Sequence, residues 1–411
     1  MNKKAILRKI AGPKGTEMFR YLLQNAKYIK SFAAGCPGKI ETAYPYQVFQ
    51  DEGYHLFFGY YDLQQMSADC TKMLAHRIKK DAVPGKDSAQ IGWIDVSSGT
   101  FHMVAETPAW CWQQGSRLRW HPFNENWIVF NNTVEGVHTT EVWDIAKGNR
   151  VMRIPRALYD IDPQFKYGLS VNFSRLQRLR PGYGYSDLPD LTVAENVPNQ
   201  DGIFYVDIAT GETELLVSLK ELAQGINGDD QYHYINHISI SPDGKRFMFF
   251  HIRTTMGNSM WRTRLCVYDI ADRELKCLEE ELIVSHYCWK DNNRILITLV
   301  GGRYFLYDVN TMAKTELQYP ELSHDGHPGY MHDNRTILTD TYPLENSMQH
   351  LFCVDEHDGQ SRIIAKLYSD PRLYLEKRCD LHPRLTPNNR FITVDSTYSD
   401  CKKSIILFKM D

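Results

Sequence analysis

From about Tyr44 onward the chain is built of short runs of β-branched and aromatic residues, broken by Asp-Gly, Asn-Asn, Ser-Gly and Gly-Glu turns. Such punctuation predicts strands joined by hairpins, an all-β fold. Five segments share one grammar, an apolar run reaching an Asp and then a polar turn: Trp93-Ile-Asp-Val-Ser-Ser-Gly, Val142-Trp-Asp-Ile-Ala-Lys-Gly, Tyr205-Val-Asp-Ile-Ala-Thr-Gly, Val267-Tyr-Asp-Ile-Ala-Asp and Leu306-Tyr-Asp-Val-Asn-Thr. Each reads as the third strand of a β-propeller blade followed by its hairpin to the outermost strand.

A tighter repeat sets the blade register. Four times a His is followed by five residues, Asp or Asn, Gly or Asn, and Lys or Arg, beginning at His237, His286, His327 and His382. An apolar run follows every one, and the starts lie 41 to 55 residues apart, the period of a four-stranded blade. The turn then joins the first and second strands, so each His stands near the start of an innermost strand. Three less regular units begin near His55, Gln114 and Tyr167, giving seven units of about fifty residues between Tyr44 and Asp411. The last unit has room for three strands, and Tyr46-Gln-Val-Phe-Gln is expected to pair with Ser404-Ile-Ile-Leu-Phe-Lys and close the ring.

The expectation is a seven-bladed β-propeller over residues 44–411, preceded by a helical arm over residues 1–43. Within the arm, Ile6, Ile10, Phe19, Leu22 and Leu23 fall near helical spacing. Its charges are Lys3, Lys4, Arg8, Lys9, Lys14, Arg20, Lys27 and Lys30 against Glu17 alone. A basic, weakly amphipathic helix of this kind either contacts an anionic membrane or a partner, or packs on the ring as a solvated helix.

Composition narrows the function classes. The formal net charge of −3 over 411 residues gives no electrostatic case for nucleic acid. Nine cysteines, scattered and without a Cys-x-x-Cys pair, read as reduced thiols. No segment reads as a signal peptide or as a bilayer span, so a cytoplasmic protein is expected.

Residues in equivalent blade positions converge on the propeller axis, so His237, His286, His327 and His382 are expected to face one polar cavity. Clustered neutral imidazoles suit Zn, Mn or Fe; alternatively, each His hydrogen-bonds a neighbouring blade. The loop Arg178-Leu-Arg-Pro-Gly-Tyr-Gly-Tyr185 offers Arg180 as an anion fork and Tyr185 as a proton carrier, or else is a rigid turn. Arg384, two residues beyond His382, is placed by strand periodicity on the same face, where it brings a guanidinium into the cavity. In His55-Leu-Phe-Phe-Gly-Tyr-Tyr-Asp62, His55 and Asp62 are further rim candidates.

The blades carrying Asn236-His-Ile-Ser-Ile-Ser-Pro-Asp-Gly, Ser285-His-Tyr-Cys-Trp, Asp325-Gly-His-Pro and Leu381-His-Pro resemble those of the propeller-type polysaccharide lyases, the oligogalacturonate and ulvan lyases among them. The resemblance follows the rhythm of most of Tyr54 to Asp411. It implies an axial divalent ion, with Mn, Zn and Ca the candidates, and β-elimination on uronic-acid-containing saccharides. In that reaction a metal or Arg neutralises the carboxylate while Tyr or His exchanges the proton. By position it implies His286, His327 and His382 as metal ligands and His237 as base or fourth ligand. The oligogalacturonate lyases place a glutamine three residues before the last-blade His and a second His two residues after it; here Cys379 and Arg384 stand there. Either other blades rebuild the metal set, or Arg384 takes over the ion's charge. The competing function is a non-catalytic propeller that binds a glycan or proteins beside polysaccharide biosynthesis.

Overall fold

The computed structural model describes residues 3–226, 231–255 and 261–410, with side chains from residue 15 onward. Seven antiparallel sheets form the blades of a β-propeller. Their innermost strands are Tyr54–Phe57, Arg119–His121, Asp160–Ile161, Tyr232–Ile240, Val284–Trp289, Gly329–Tyr330 and Arg384–Leu385, numbered here as blades 1 to 7. The five segments with the shared Asp-turn grammar are all third strands.

Blades stack face against face, so their central strands are buried on both sides. Phe247, Met248, Phe249, Phe250 and Ile252 are all buried, as are Ile405, Ile406, Leu407 and Phe408. This double burial explains why many strands read as continuous apolar runs rather than alternating ones. Blade 3 begins earlier than the sequence rhythm implies: Tyr167–Ser170 is its second strand, and the innermost strand is the two-residue Asp160–Ile161. Asp162-Pro163 follows at once, and proline has no N–H to give the ladder.

The outermost strand of blade 7 is Tyr46–Phe49, paired antiparallel with Ser404–Lys409 so that Tyr46 opposes Phe408 and Phe49 opposes Ile405. Ile40–Thr42 adds a fifth strand to blade 6, opposite Ala365 to Leu367, and covers that blade's edge. Before it runs helix α1, Lys3–Ala33. The helix leans on blade 6: the Ser31 hydroxyl donates to Ser347 Oγ at 3.2 Å, and the Arg372 guanidinium sits 3.8 Å over the Tyr28 ring.

The side of α1 turned to the ring carries Thr16, Gln24, Tyr28 and Ser31, whereas Phe19, Leu22 and Leu23 are exposed. The apolar residues thus point away from the propeller, the reverse of a helix packed through its hydrophobic face. Ile6 and Ile10 lie outside the residues whose side chains are described.

Candidate active site

Four blades deliver their histidines to the axis, and in two of them the local backbone device is plain. In blade 4 the pairing register shifts between Asn236 and Ser239, and His237 takes a left-handed φ of 57°. A bulge of this kind re-aims a side chain. His382, just before the innermost strand of blade 7, also has a positive φ, 48°. Backbone held in that region is costly for a non-glycine residue and persists where surrounding structure enforces it.

The rings of His286 and His327 are 4.1 Å apart between centroids, and those of His327 and His382 4.4 Å. These three and His237 are all buried. Each of the three has its Nδ1 fixed by an acceptor: His286 by Asp325 at 3.0 Å, His327 by Asp340 at 2.8 Å, and His382 by the Gly59 carbonyl at 2.7 Å. With Nδ1–H so committed, a neutral ring presents its Nε2 lone pair. Nε2 of His327 and Nε2 of His382 are buried with no hydrogen-bond partner. Asp380 completes a set in which one ligand atom from each of His327, Asp380 and His382 lies within 4.8 Å of the others. Two imidazole nitrogens and a carboxylate, with the rings oriented by outer acceptors, are a donor set that fits a divalent transition ion.

Electrostatics divides the histidines. Burial pushes His382 well below the usual imidazole range, helped by His327 and Arg384; it does the same to His237 beside His286 and Arg180. His286 is also lowered, by burial and His327, against the pull of Asp325. For His327 burial acts downward too, but the Asp340 carboxylate overrides it and holds the ring above its ordinary value.

His237 stands on the far side of Tyr60, which stacks on it at 5.3 Å and meets His382 edge-on at 4.8 Å. The Asn236 amide nitrogen lies 3.2 Å from His237 Nε2, while its Oδ1 accepts from the Tyr159 hydroxyl at 2.9 Å. That arrangement puts the imidazole proton on Nδ1, which is buried and unpartnered. His237 therefore offers an N–H to the site.

The other expected residues are placed differently. Arg384 is buried and fully engaged: it donates to Asp395 at 3.1 Å, to Gln65 at 3.2 Å and to the Gly59 carbonyl at 3.2 Å. Instead of entering the cavity it braces the carbonyl that orients His382. Tyr185 is not gathered at the axis; its ring stacks on Phe173 at 4.4 Å and its hydroxyl accepts from Asn131 at 2.8 Å. The tyrosine of that loop which reaches the site is Tyr183, 5.7 Å from His237, with a hydroxyl that accepts from Arg378 at 2.8 Å. Arg180 lies 5.1 Å over the Tyr183 ring and forms no ion pair among the described residues. His55 is tied to Lys80 and Lys403, and Asp62 makes a bidentate pair with Arg117.

Tyr60, Asp325, Asp340 and Asp380 were not singled out from the sequence. A signal for two of them existed: Asp325-Gly-His327 and Asp380-Leu-His382 are the same Asp-x-His step in successive blades. Asp325 binds the His of the preceding blade, and Asp380 likewise lies against His327 of the blade before. Two glycines permit the close packing. Gly59, at φ 123°, sits where a Cβ would come within 3.0 Å of the Gln114 carbonyl carbon, and a Cβ on Gly326 would lie 2.0 Å from the Asp340 carbonyl oxygen.

Beside the cluster opens a cavity of about 430 Å³ between α1 and the rim. Tyr342, Arg378 and Asp380 connect it with the histidines, and Lys27 and Lys30 of α1 line its other side. Neither lysine forms an ion pair among the described residues.

No protein-family model and no curated protein matches the sequence. Solved structures do match. A manganese complex of oligogalacturonate lyase superposes with a TM-score of 0.63 at 13% identity, over 92% of this chain and 98% of that one. An oligogalacturonate lyase from Vibrio parahaemolyticus gives 0.59 at 11% identity, over 91% and 99%. A chain of the mitotic checkpoint complex gives 0.53 at 10% identity, over 90% and 93%. Similarity this distant, shared among proteins of unlike function, speaks for architecture alone: the chain is a seven-bladed β-propeller with a short N-terminal helix.

Proposed function

We propose that the chain is a carbohydrate-active enzyme, a lyase that cleaves uronic-acid-containing oligosaccharides by β-elimination at the axial cluster, assisted by a divalent ion held by His327, His382 and Asp380. The observation that carries the reading is that His327, His382 and Asp380 each bring a ligand atom within 4.8 Å of the others, while Nε2 of both rings is buried and without a partner. A bound ion would supply the positive charge that neutralises the uronate carboxylate and acidifies the neighbouring C–H.

The remaining roles fall to this chain's own groups. His286 takes the proton: Asp325 fixes its Nδ1–H, its Nε2 carries the lone pair, and its lowered pKa keeps it neutral. Tyr60 is the proton donor to the leaving oxygen, its hydroxyl buried, unpartnered and kept protonated by burial. His237 Nδ1–H holds an oxygen of the sugar. Arg180, Lys27 and Lys30 are the contacts for carboxylates away from the reacting unit, while Arg378 is engaged, donating to Asp380 at 2.9 Å and to the Tyr183 hydroxyl at 2.8 Å. The substrate class proposed is the one named for the oligogalacturonate lyase whose fold this chain shares. Nine unpaired thiols suit a reducing cytoplasm, where short oligomers are the substrates.

The test is incubation of the protein with trigalacturonate and Mn²⁺, following the ultraviolet absorbance of the unsaturated product. The wild type should form product, and His286→Gln should lose about 10²- to 10⁴-fold in rate. Absence of product across a panel of uronate oligosaccharides with Mn²⁺, Zn²⁺ and Ca²⁺, or an unimpaired His286→Gln, contradicts the reading.

A further inference from the structure

The outward face of α1 is apolar. Met18, Leu22, Ile29 and Phe32 are between 58% and 65% exposed, and Phe19, Leu23 and Tyr21 are exposed beside them. At about 100° per residue, Met18, Leu22, Ala26, Ile29 and Ala33 form one stripe, flanked by Phe19 and Phe32. This stripe lies opposite the side that meets blade 6. The inversion is informative, because the ring is already contacted through Tyr28 and Ser31, with Thr16 and Gln24 shielded from solvent on the same side. A contiguous exposed apolar patch of this kind on a soluble fold marks an interaction surface.

Charge selects the occupant. Residues 1–34 hold Lys3, Lys4, Arg8, Lys9, Lys14, Arg20, Lys27 and Lys30 against Glu17. A second copy would bring a like-charged arm against this one. An anionic lipid surface complements it, while the apolar stripe enters the boundary between headgroups and acyl chains. No helix among the described residues is long and apolar enough to cross a membrane, so α1 would lie in the interface plane. We propose that α1 docks the propeller on an anionic bilayer through Met18, Phe19, Leu22, Ile29 and Phe32. The proposal stands whether or not the axial site is a lyase.

The experiment is flotation of the full chain with vesicles of phosphatidylcholine and phosphatidylserine, and with vesicles of phosphatidylcholine alone, alongside sedimentation without lipid. A variant carrying Leu22→Ser, Ile29→Ser and Phe32→Ser alters only exposed positions, and its unchanged melting temperature verifies the fold. The wild type should float with the anionic vesicles and at least tenfold less with the neutral ones, and the triple variant should lose at least tenfold of the anionic binding. Failure of the wild type to bind anionic vesicles, or equal binding by the triple variant, overturns the proposal. A wild-type dimer that the triple variant abolishes, with no lipid binding, overturns it in favour of a second copy.

Discussion

Asp340 accepts both the backbone N–H and the imidazole Nδ1–H of His327, each at 2.8 Å. The same carboxylate receives the backbone N–H of His382 at 3.2 Å, so one buried acid on blade 6 fixes two of the three clustered ligand groups. Replacing it by the isosteric amide removes the charge that orients His327 while leaving the volume intact. Asp340→Asn should weaken Mn²⁺ binding by about 10- to 100-fold, the usual cost of losing such an outer contact. Titration calorimetry of the purified variant checks this.

Arg384 acts on His382 through Gly59, whose carbonyl it shares. Its ion pair with Asp395 is buried on both sides. Arg384→Met leaves that carboxylate without its cation and should cost about 3 kcal/mol, measured by urea denaturation. It should also lower metal affinity, whereas a guanidinium whose role was to bind substrate would leave metal affinity unchanged.

Gly326 separates Asp325 from His327 and lies against the Asp340 backbone. Gly326→Ala forces that contact apart and should destabilise the protein by about 1–3 kcal/mol. A melting temperature equal to wild type would show that the blade 6 entry relaxes freely.

The pH dependence of stability follows from histidines remote from the metal set. Burial lowers His76 to about 4, with its Nε2 accepting from the Ser116 N–H at 2.9 Å. An unfolded His binds its proton near 6.5, so between those values the unfolded state carries a proton that the folded state lacks. Stability is therefore full above about 6.5 and falls as the pH drops toward 4, by about 3 kcal/mol for His76 alone. His55 and His233, also lowered to about 4 chiefly by burial, act in the same direction. Calorimetric melting from about pH 7.5 to about pH 4.5 should show this slope, and His76→Gln should flatten it.

The propeller was legible because blade periodicity is written twice, in the Asp-turn that ends five of the third strands and in four His-anchored first hairpins. Both are local signals, repeated. The axis was less legible, because its chemistry depends on which atom of each ring is already spoken for. Arg384 opens the innermost strand of blade 7, and its partner Asp395 lies on the next strand of the same blade. No linear pattern marks the two as a pair; they meet because that second strand folds back beside the first and sets Thr393 opposite Arg384. Tyr185 and Tyr183 are two residues apart and both buried, and Phe173 with Asn131 holds the first while the second turns to His237. The arm was legible as a helix, Lys3–Ala33, but the side it turns to the ring was not. Helical spacing finds an apolar stripe but not the direction in which it points.

The most direct measurement is an anomalous difference map from crystals soaked in Mn²⁺. One strong peak is expected on the propeller axis, bonded to Nε2 of His327, Nε2 of His382 and a carboxylate oxygen of Asp380. A map with no peak there, or with manganese bound only at surface carboxylates, contradicts the assignment.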